Sequence, residues 1–372
     1  MTVRTRMRIP YAYLDRQFSD PAPFLADIEA LARSGDFTLG QAVSELEGRV
    51  IAMTGAAHAV GMSSGTDALT LPLLALGIGS GDEVITATNS FVASAGAIAM
   101  TGATPVLVDV DETLTIDPEA VLRAITPKTK AILPVHLSGT MADMTHLVGL
   151  AEAHRLWVVE DAAQAMGATL NGQHVGTIGH AAGISFHPLK MLNVWGDGGM
   201  AVTNGPRLNE QLRLLRNHGL ATRDDAVCFG YNSRLSSLQA VIANRVIQGL
   251  PSAIERRRAH ATSLDARLAD LAPRVKTPIV PPGVLPTYAT YQIRCEDRDG
   301  LRAYLLDRGI DVKIHYPVPI HLQTVGRRLG YGPGDCPAAE RLAGEILTLP
   351  LHEYLIEDEL GYMAETIRAY YR

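Results

Sequence analysis

The stretch Ala181-Ala182-Gly183-Ile184-Ser185-Phe186-His187-Pro188-Leu189-Lys190 puts a lysine just after an apolar strand. Met191-Leu192-Asn193-Val194-Trp195 follows, and then the glycine-rich Gly196-Asp197-Gly198-Gly199. A lysine between an apolar strand and a glycine-rich loop is poorly placed to be a solvated surface charge. Partial burial lowers the pKa of an amine and frees it to attack a carbonyl. Schiff-base lysines need that environment. Ser185 can hold a phosphate oxygen, and the glycines let backbone approach a bound group closely. Taken alone, the commoner reading of such a lysine is a strand-end residue that snorkels to water. The rest of the chain decides between the two.

Working outward, short apolar runs rich in β-branched residues recur at Ala59 to Met62, Glu83 to Thr86, Pro105 to Val110 and Ala131 to Leu137. Trp157 to Glu160, Gly183 to Phe186 and Met200 to Thr203 continue the series. Helical patterns lie between them, at Asp67 to Leu76, Ser94 to Met100, Pro118 to Ile125 and Met144 to Arg155. This alternation predicts an α/β domain with a mostly parallel sheet, whose ligand crevice lies at the carboxyl ends of the strands. After residue 250 the pattern changes. A long helix is expected after Pro251, then a proline-rich linker from Pro278 to Pro286. Short strands (Thr290 to Arg294, Val312 to His315) and helices (Leu301 to Arg308, Pro337 to Leu347) follow. Residues 1–250 are therefore expected to form an N-terminal segment and a large domain. Residues 251–372 are expected to form a smaller α+β domain.

Composition narrows the function. The chain has 372 residues, 47% of them hydrophobic, and a net charge of −6, which suits a globular protein with a sizeable core. No basic field exists to hold nucleic acid, and Arg256-Arg257-Arg258 reads as the solvated face of a helix. Cys228, Cys295 and Cys336 form no CxxC and are odd in number, so neither a disulfide framework nor a metal site is expected. Met1 to Pro10 carries Arg4, Arg6 and Arg8 with no apolar run behind them, unlike a signal peptide. No apolar run reaches the roughly 18–20 residues of a membrane span. A cytoplasmic protein is expected.

Four segments join Lys190. Ser63-Ser64-Gly65-Thr66-Asp67 follows a strand and opens a helix, so N–H groups, helix dipole and hydroxyls suit a phosphate. An ordinary capped helix start is the plainer reading. In Val158-Val159-Glu160-Asp161-Ala162-Ala163-Gln164, an acidic pair ends an apolar strand. Asp161 could pair with a protonated ring nitrogen and improve an electron sink, or cap the next helix. Gln164 could donate to a ring hydroxyl or satisfy backbone. Phe91, in Asn89-Ser90-Phe91, could stack on a planar cofactor, although Phe is most often core. Gly230-Tyr231-Asn232-Ser233-Arg234-Leu235 reads as a turn before a helix. Together these are the parts of a pyridoxal 5'-phosphate (PLP) site: a lysine for the aldehyde, an acid for the ring nitrogen, an aromatic for the ring face, and Gly65, Thr66 and Ser185 for the phosphate.

Read in order, the segments resemble the PLP-dependent sugar aminotransferases of the DegT/DnrJ/StrS type over nearly the whole chain. The resemblance rests on Phe37-Thr38-Leu39-Gly40, Ser64-Gly65-Thr66-Asp67-Ala68-Leu69, Gly81-Asp82-Glu83-Val84-Ile85 and Pro134-Val135-His136-Leu137-Ser138-Gly139. It continues through Glu160 to Gln164, Ser185 to Lys190, Gly196 to Gly199, Asn232 to Leu235 and His315 to Gln323. It implies an aspartate-aminotransferase-like fold (PLP fold type I) with a seven-stranded sheet, and a homodimer with shared active sites. Lys190 would be the Schiff-base lysine and Asp161 the partner of the pyridine nitrogen. Gln164 would lie near the ring hydroxyl, Phe91 would stack, and Ser64, Gly65, Thr66 and Ser185 would hold the phosphate. Asn232 would reach the phosphate of the neighbouring subunit. His187, His315, Tyr316 and His321 would lie near the sugar. The loop Met191 to Trp195 and Asp197 depart from the commonest family forms.

The expected activity is transfer of an amine from L-glutamate (or glutamine) to a keto-sugar linked to a nucleoside diphosphate, with PLP cycling through pyridoxamine 5'-phosphate. Such a reaction belongs to amino-sugar, antibiotic or glycan biosynthesis. The alternatives are the same chemistry on a free keto-cyclitol, a PLP-dependent sugar dehydratase, and a regulatory protein that keeps the fold without turnover. Some relatives carry histidine in place of the lysine and remove a sugar hydroxyl; Lys190 argues against that reaction.

Overall fold

The computed structural model describes residues 7–372. Arg4 and Arg6 of the arginine-rich start thus lie outside the described residues, and Arg8 lies within them. Seven strands form the main sheet: β1 (His58–Met62), β2 (Glu83–Ala87), β3 (Thr104–Val108), β4 (Thr129–Leu133), β5 (Trp157–Asp161), β6 (Ala181–Ser185) and β7 (Gly199–Thr203). Almost every position in them is buried, as expected for strands covered by helices on both faces. Their order is β1-β7-β6-β5-β4-β2-β3. Only β7 opposes its neighbours; the other pairings within the sheet are parallel. The sheet is therefore mostly parallel, and the carboxyl ends of β1, β2, β4, β5 and β6 share one edge.

Close approach between helix and strand sets the shape of that edge. A Cβ on Gly183 of β6 would lie 2.6 Å from Leu69 Cδ2 and 2.9 Å from the Ala68 carbonyl. Only glycine lets the helix Asp67–Ala75 sit directly on β6. That seating brings the loop before the helix over the end of β6. Two further helices start at side-chain caps: Asp117 accepts from the Glu119 N–H at 3.0 Å, and Asp143 accepts from the His146 N–H at 3.1 Å.

The long helix spans Ser237–Leu268 and carries Pro251 in its interior, where the sequence suggested a start. Buried Ile242, Ile247, Leu250, Ile254, Ala261, Leu264 and Leu268 keep helical spacing across the proline. Their burial outweighs the ~3 kcal/mol that an internal proline costs a helix. The first core reaches Ile254 and the second begins at Ala261. The second core is built on the antiparallel strands β8 (Val275–Lys276), β9 (Tyr291–Cys295) and β10 (Ile346–Leu349). Ile9 joins this core and pairs with Ile310, so the N-terminal segment crosses to the C-terminal part of the chain.

Three local expectations change. Val312 to His315 is not a strand; Lys313 alone pairs with Thr348. The helix from Pro337 ends at Glu345, and Leu347 belongs to β10. Arg256-Arg257-Arg258 is not a solvated face. Arg257 is 2% exposed, ion-pairs with Glu353 at 2.8 Å and donates to the carbonyls of Tyr288, Ala289 and Leu351. A long helix at the seam of two cores has no dry and wet side along its whole length, so charge there can be inward. Among the described residues no helix is long and apolar enough to cross a membrane, the three cysteines are free thiols, and no acidic or His/Cys cluster suits a metal ion.

Candidate active site

A cleft of about 420 Å³ opens at the carboxyl edge of the sheet. Ser64, Gly65, Thr66, Phe91, Asp161, Gln164, Ser185, His187, Lys190, His315 and Tyr316 all line it. Each comes from the end of a strand or the loop beyond it, apart from His315 and Tyr316, which arrive from the C-terminal part.

Lys190 sits in a turn closed by its own N–H donating to the His187 carbonyl at 2.8 Å. Burial pushes its amine below the usual lysine value, and the Asp161 carboxylate opposes that shift without cancelling it. Among the described residues Nζ has no hydrogen-bond or ion-pair partner. A neutral, unpaired amine is the state that adds to an aldehyde, and the lowered pKa favours it.

Asp161 ends β5 and is nearly buried. Ser94 Oγ donates to its Oδ2 at 2.7 Å, and the Ala163 N–H donates to Oδ1 at 3.1 Å. Its neighbour Glu160 points to the other face of the sheet, because side chains alternate along a strand. There Glu160 pairs with His136 at 2.9 Å and accepts the N–H groups of Gly176 and Gly179. Burial would raise the Glu160 carboxyl, but these donors outweigh it and hold the pKa below its ordinary value. The Ala142 N–H donates to His136 Nδ1, so the ring's proton is on Nε2, facing Glu160. Of the acidic pair, one member braces the sheet and the other faces the cleft.

The turn between β1 and the helix Asp67–Ala75 could hold a phosphate. A Cβ on Gly65 would lie 2.6 Å from Ser185 Cβ and 2.9 Å from its hydroxyl. The loops after β1 and β6 therefore meet only because residue 65 is glycine. Ser64 takes the capping role, accepting from the Asp67 N–H at 3.1 Å. The Thr66 hydroxyl is left without a partner among the described residues. Phe91 is 55% exposed, with its ring 5.9 Å from that of Tyr316. Gln164 accepts from the Ser138 N–H at 3.0 Å and hydrogen-bonds Tyr316. Burial, Asp161 and Gln164 together leave the Tyr316 hydroxyl at about 12. Burial first, and then the charges of Lys190 and Lys313, push the His315 imidazole down to about 4. His315 is therefore neutral at physiological pH.

One expected cleft residue lies elsewhere. His321 is 0% exposed and does not line the cleft. Its Nδ1 meets Thr88 Oγ1 at 2.7 Å and its Nε2 meets Glu340 at 3.0 Å. It ties the segment after Tyr316 to the loop after β2. Asn232 is exposed, pairs with Asn217 and is outside this chain's cleft. Sequence reasoning missed Tyr11 and Ser94, which also line the cleft. Tyr11 had no local signal. Ser90 and Ser94 are one helical turn apart, and their hydroxyls meet at 2.8 Å.

An unpaired amine, an oriented acid, an exposed aromatic and a glycine-shaped phosphate cradle on this sheet define a PLP-dependent aminotransferase of fold type I. The chain belongs to the DegT/DnrJ/EryC1/StrS aminotransferase family, whose model matches residues 20–368. It is 43% identical to a pleiotropic regulatory protein of Geobacillus stearothermophilus, covering 98% of this chain and 99% of that one. It is 40% identical to the dTDP-3-amino-3,4,6-trideoxy-alpha-D-glucose transaminase of Streptomyces venezuelae, covering 97% and 96%. The crystal structure of S. venezuelae DesV in complex with a ketimine intermediate superposes with a TM-score of 0.94 at 40% identity, covering 98% of each chain. Solved neighbours include forms with PLP and with pyridoxamine phosphate. PLP is the cofactor of this chain, and the residues above fit it.

Proposed function

We propose that the enzyme moves the amine of L-glutamate to the keto group of a sugar linked to a nucleoside diphosphate. The observation that carries this reading is the unpartnered Lys190 amine, its pKa lowered, in one cleft with the braced Asp161 carboxylate. Similarity to a dTDP-amino-sugar transaminase supports the sugar class, as does similarity to a UDP-N-acetyl-3-dehydro-alpha-D-glucosamine 3-aminotransferase of Acidithiobacillus ferrooxidans. Bound PLP would supply an electron sink. Lys190 then holds the cofactor and moves a proton at Nζ. Asp161 faces the ring nitrogen, Phe91 covers the ring and Gln164 orients its hydroxyl. Gly65, Thr66 and Ser185, with Ser64 shaping their loop, hold the phosphate. His187, neutral His315 and Tyr316 contact the sugar.

The active unit is a homodimer in the cytoplasm, in which Asn232 reaches the neighbouring subunit's phosphate. The exposed Val227, Phe229 and Tyr231 beside Asn232 support a surface covered by a second copy. The two cores that divide within the long helix, between Ile254 and Ala261, support a two-domain chain with its boundary a few residues beyond the expected 250–251.

The test is single-turnover absorbance of the PLP form mixed with L-glutamate, followed by nucleotide-linked keto-sugars. Conversion to the pyridoxamine form, and its reversal by a keto-sugar, is the expected outcome. No conversion by any amino donor would favour a regulatory protein; water release without donor consumption would favour a dehydratase.

A further inference from the structure

The loop carrying Lys190 is held from outside by the N-terminal segment. Its neck is closed by the Val194 N–H donating to the Phe186 carbonyl at 3.0 Å. Inside, Asn193 is 0% exposed, and its Nδ2 donates to the Pro188 carbonyl at 2.8 Å. The remaining amide capacity of Asn193 goes to Gln17. Asn193 Nδ2 donates to Gln17 Oε1, and Gln17 Nε2 donates to Asn193 Oδ1, each at 2.9 Å. Such a reciprocal amide pair fixes both position and orientation. A buried amide stripped of its partners costs about 1–3 kcal/mol for each group left unpaired.

Gln17 is in turn anchored far from the sheet. Its neighbour Arg16 grips Glu359 with two hydrogen bonds, of 2.6 and 3.0 Å, and donates to the Tyr354 carbonyl at 2.9 Å. Tyr13 stacks on His352 at 5.2 Å. The clasp therefore joins the C-terminal core to the residues on either side of Lys190, through the short helix Leu14–Gln17.

We propose that Gln17 is a positioning residue for Lys190: through its amide pair with Asn193 it holds the lysine loop in register with the C-terminal core, so that Nζ meets the cofactor at the reacting angle. Gln17 does not line the cleft. The demand is geometric, because a shift of about 1 Å at a reacting group can cost a hundredfold in rate. The titratable groups facing Lys190 are Asp161 on β5, His187 and Asp197 on its own loop, Tyr11, His315 and Tyr316, with Lys313 acting on His315, and Tyr13, whose hydroxyl donates to the Lys190 carbonyl at 3.4 Å. Gln17 carries no charge and is absent from that set. A change in Lys190 titration on replacing Gln17 therefore reports displacement of the loop.

The experiment uses PLP-loaded full-length enzyme. Gln17→Met keeps the length of the side chain and removes both hydrogen bonds. The proposal, which rests on Lys190 carrying PLP, expects kcat to fall about ten- to a hundredfold with KM for donor and acceptor within about twofold. The pH midpoint of the cofactor–lysine absorbance should also move. A lowered Tm with kcat and midpoint unchanged would overturn it. If Gln17→Met does not accumulate as holoenzyme, Arg16→Met, which releases the anchor on Glu359, is read by the same two measures and the same outcomes decide. Failure of the underlying reading is distinct: the wild-type enzyme itself would then show no cofactor–lysine absorbance.

Discussion

Ser94 Oγ and Asp161 Oδ2 lie 2.7 Å apart, joining the helix Val92–Met100 to the end of β5 where both line the cleft. With the Ala163 N–H on Oδ1, this bond leaves the acid a single orientation. Ser94→Ala should keep the fold and slow the glutamate half-reaction about tenfold, as befits loss of one hydrogen bond to a charged group. Asp161→Asn should lose most of the rate, since an amide cannot offset a pyridinium charge. Stopped-flow absorbance reads both. A wild-type rate in Asp161→Asn would remove the acid from its role.

Lys190→Ala should abolish turnover yet still bind pyridoxamine phosphate, whose ring and phosphate contacts remain. Borohydride reduction of the wild-type holoenzyme and peptide mapping should place the label on Lys190. A label on Lys128, Lys130, Lys276 or Lys313 would contradict the assignment; Lys313 is already paired with Asp311 at 2.6 Å.

The depressed pKa of Lys190 has a definite sign in stability. Between the folded value and the ordinary one of about 10.4, the unfolded chain holds a proton that the folded chain has released. Stability of the cofactor-free protein attributable to this group therefore rises with pH across that window and is flat above it. Lys190→Met should lose that slope. Tm measured against pH for both cofactor-free proteins is the check, and equal slopes would rule the effect out.

Gly65→Ala should drive the loops after β1 and β6 apart, since the new Cβ would lie 2.6 Å from Ser185 Cβ. Overpacking of this kind costs about 1–3 kcal/mol. PLP should bind more weakly and Tm should fall. Adding Ser185→Gly removes the nearest clashing atoms and should recover part of the Tm while PLP affinity stays low. Calorimetry and cofactor fluorescence separate the two effects.

Mixing inactive Lys190→Ala with inactive Asn232→Asp tests whether Asn232 acts across the dimer. The aspartate would sit against a phosphate, a like-charge contact. A mixed dimer would contain one site with both defects and one with neither, so activity should return as subunits exchange. Exchange verified by mass spectrometry without recovered activity would confine Asn232 to its own subunit.

Much of the site was legible because α/β chains place their chemistry at strand ends. The apolar runs located β1 to β7 to within a few residues, and Gly65, Asp161 and Ser185 follow from the ends of those runs. His321 was not legible. It stands close to Tyr316 in sequence, yet its ring turns away to Thr88 and Glu340. Adjacency in an irregular segment says little about direction, since no period of 2 or 3.6 applies there. Arg257 misled for a related reason: three consecutive arginines read as solvated until a second core closed over one of them.

By itself the sequence determined the alternation of strands and helices, the residues at the carboxyl ends and the family to which they belong. Those are local properties: side-chain period, caps, and the glycines that a close approach requires. Tertiary structure alone decided that the Lys190 amine is unpaired, that Ser94 holds Asp161, and that Gln17 braces Asn193. Each depends on which distant segment excludes water or brings a partner within about 3 Å, and residues 17 and 193 meet only when the whole chain has folded.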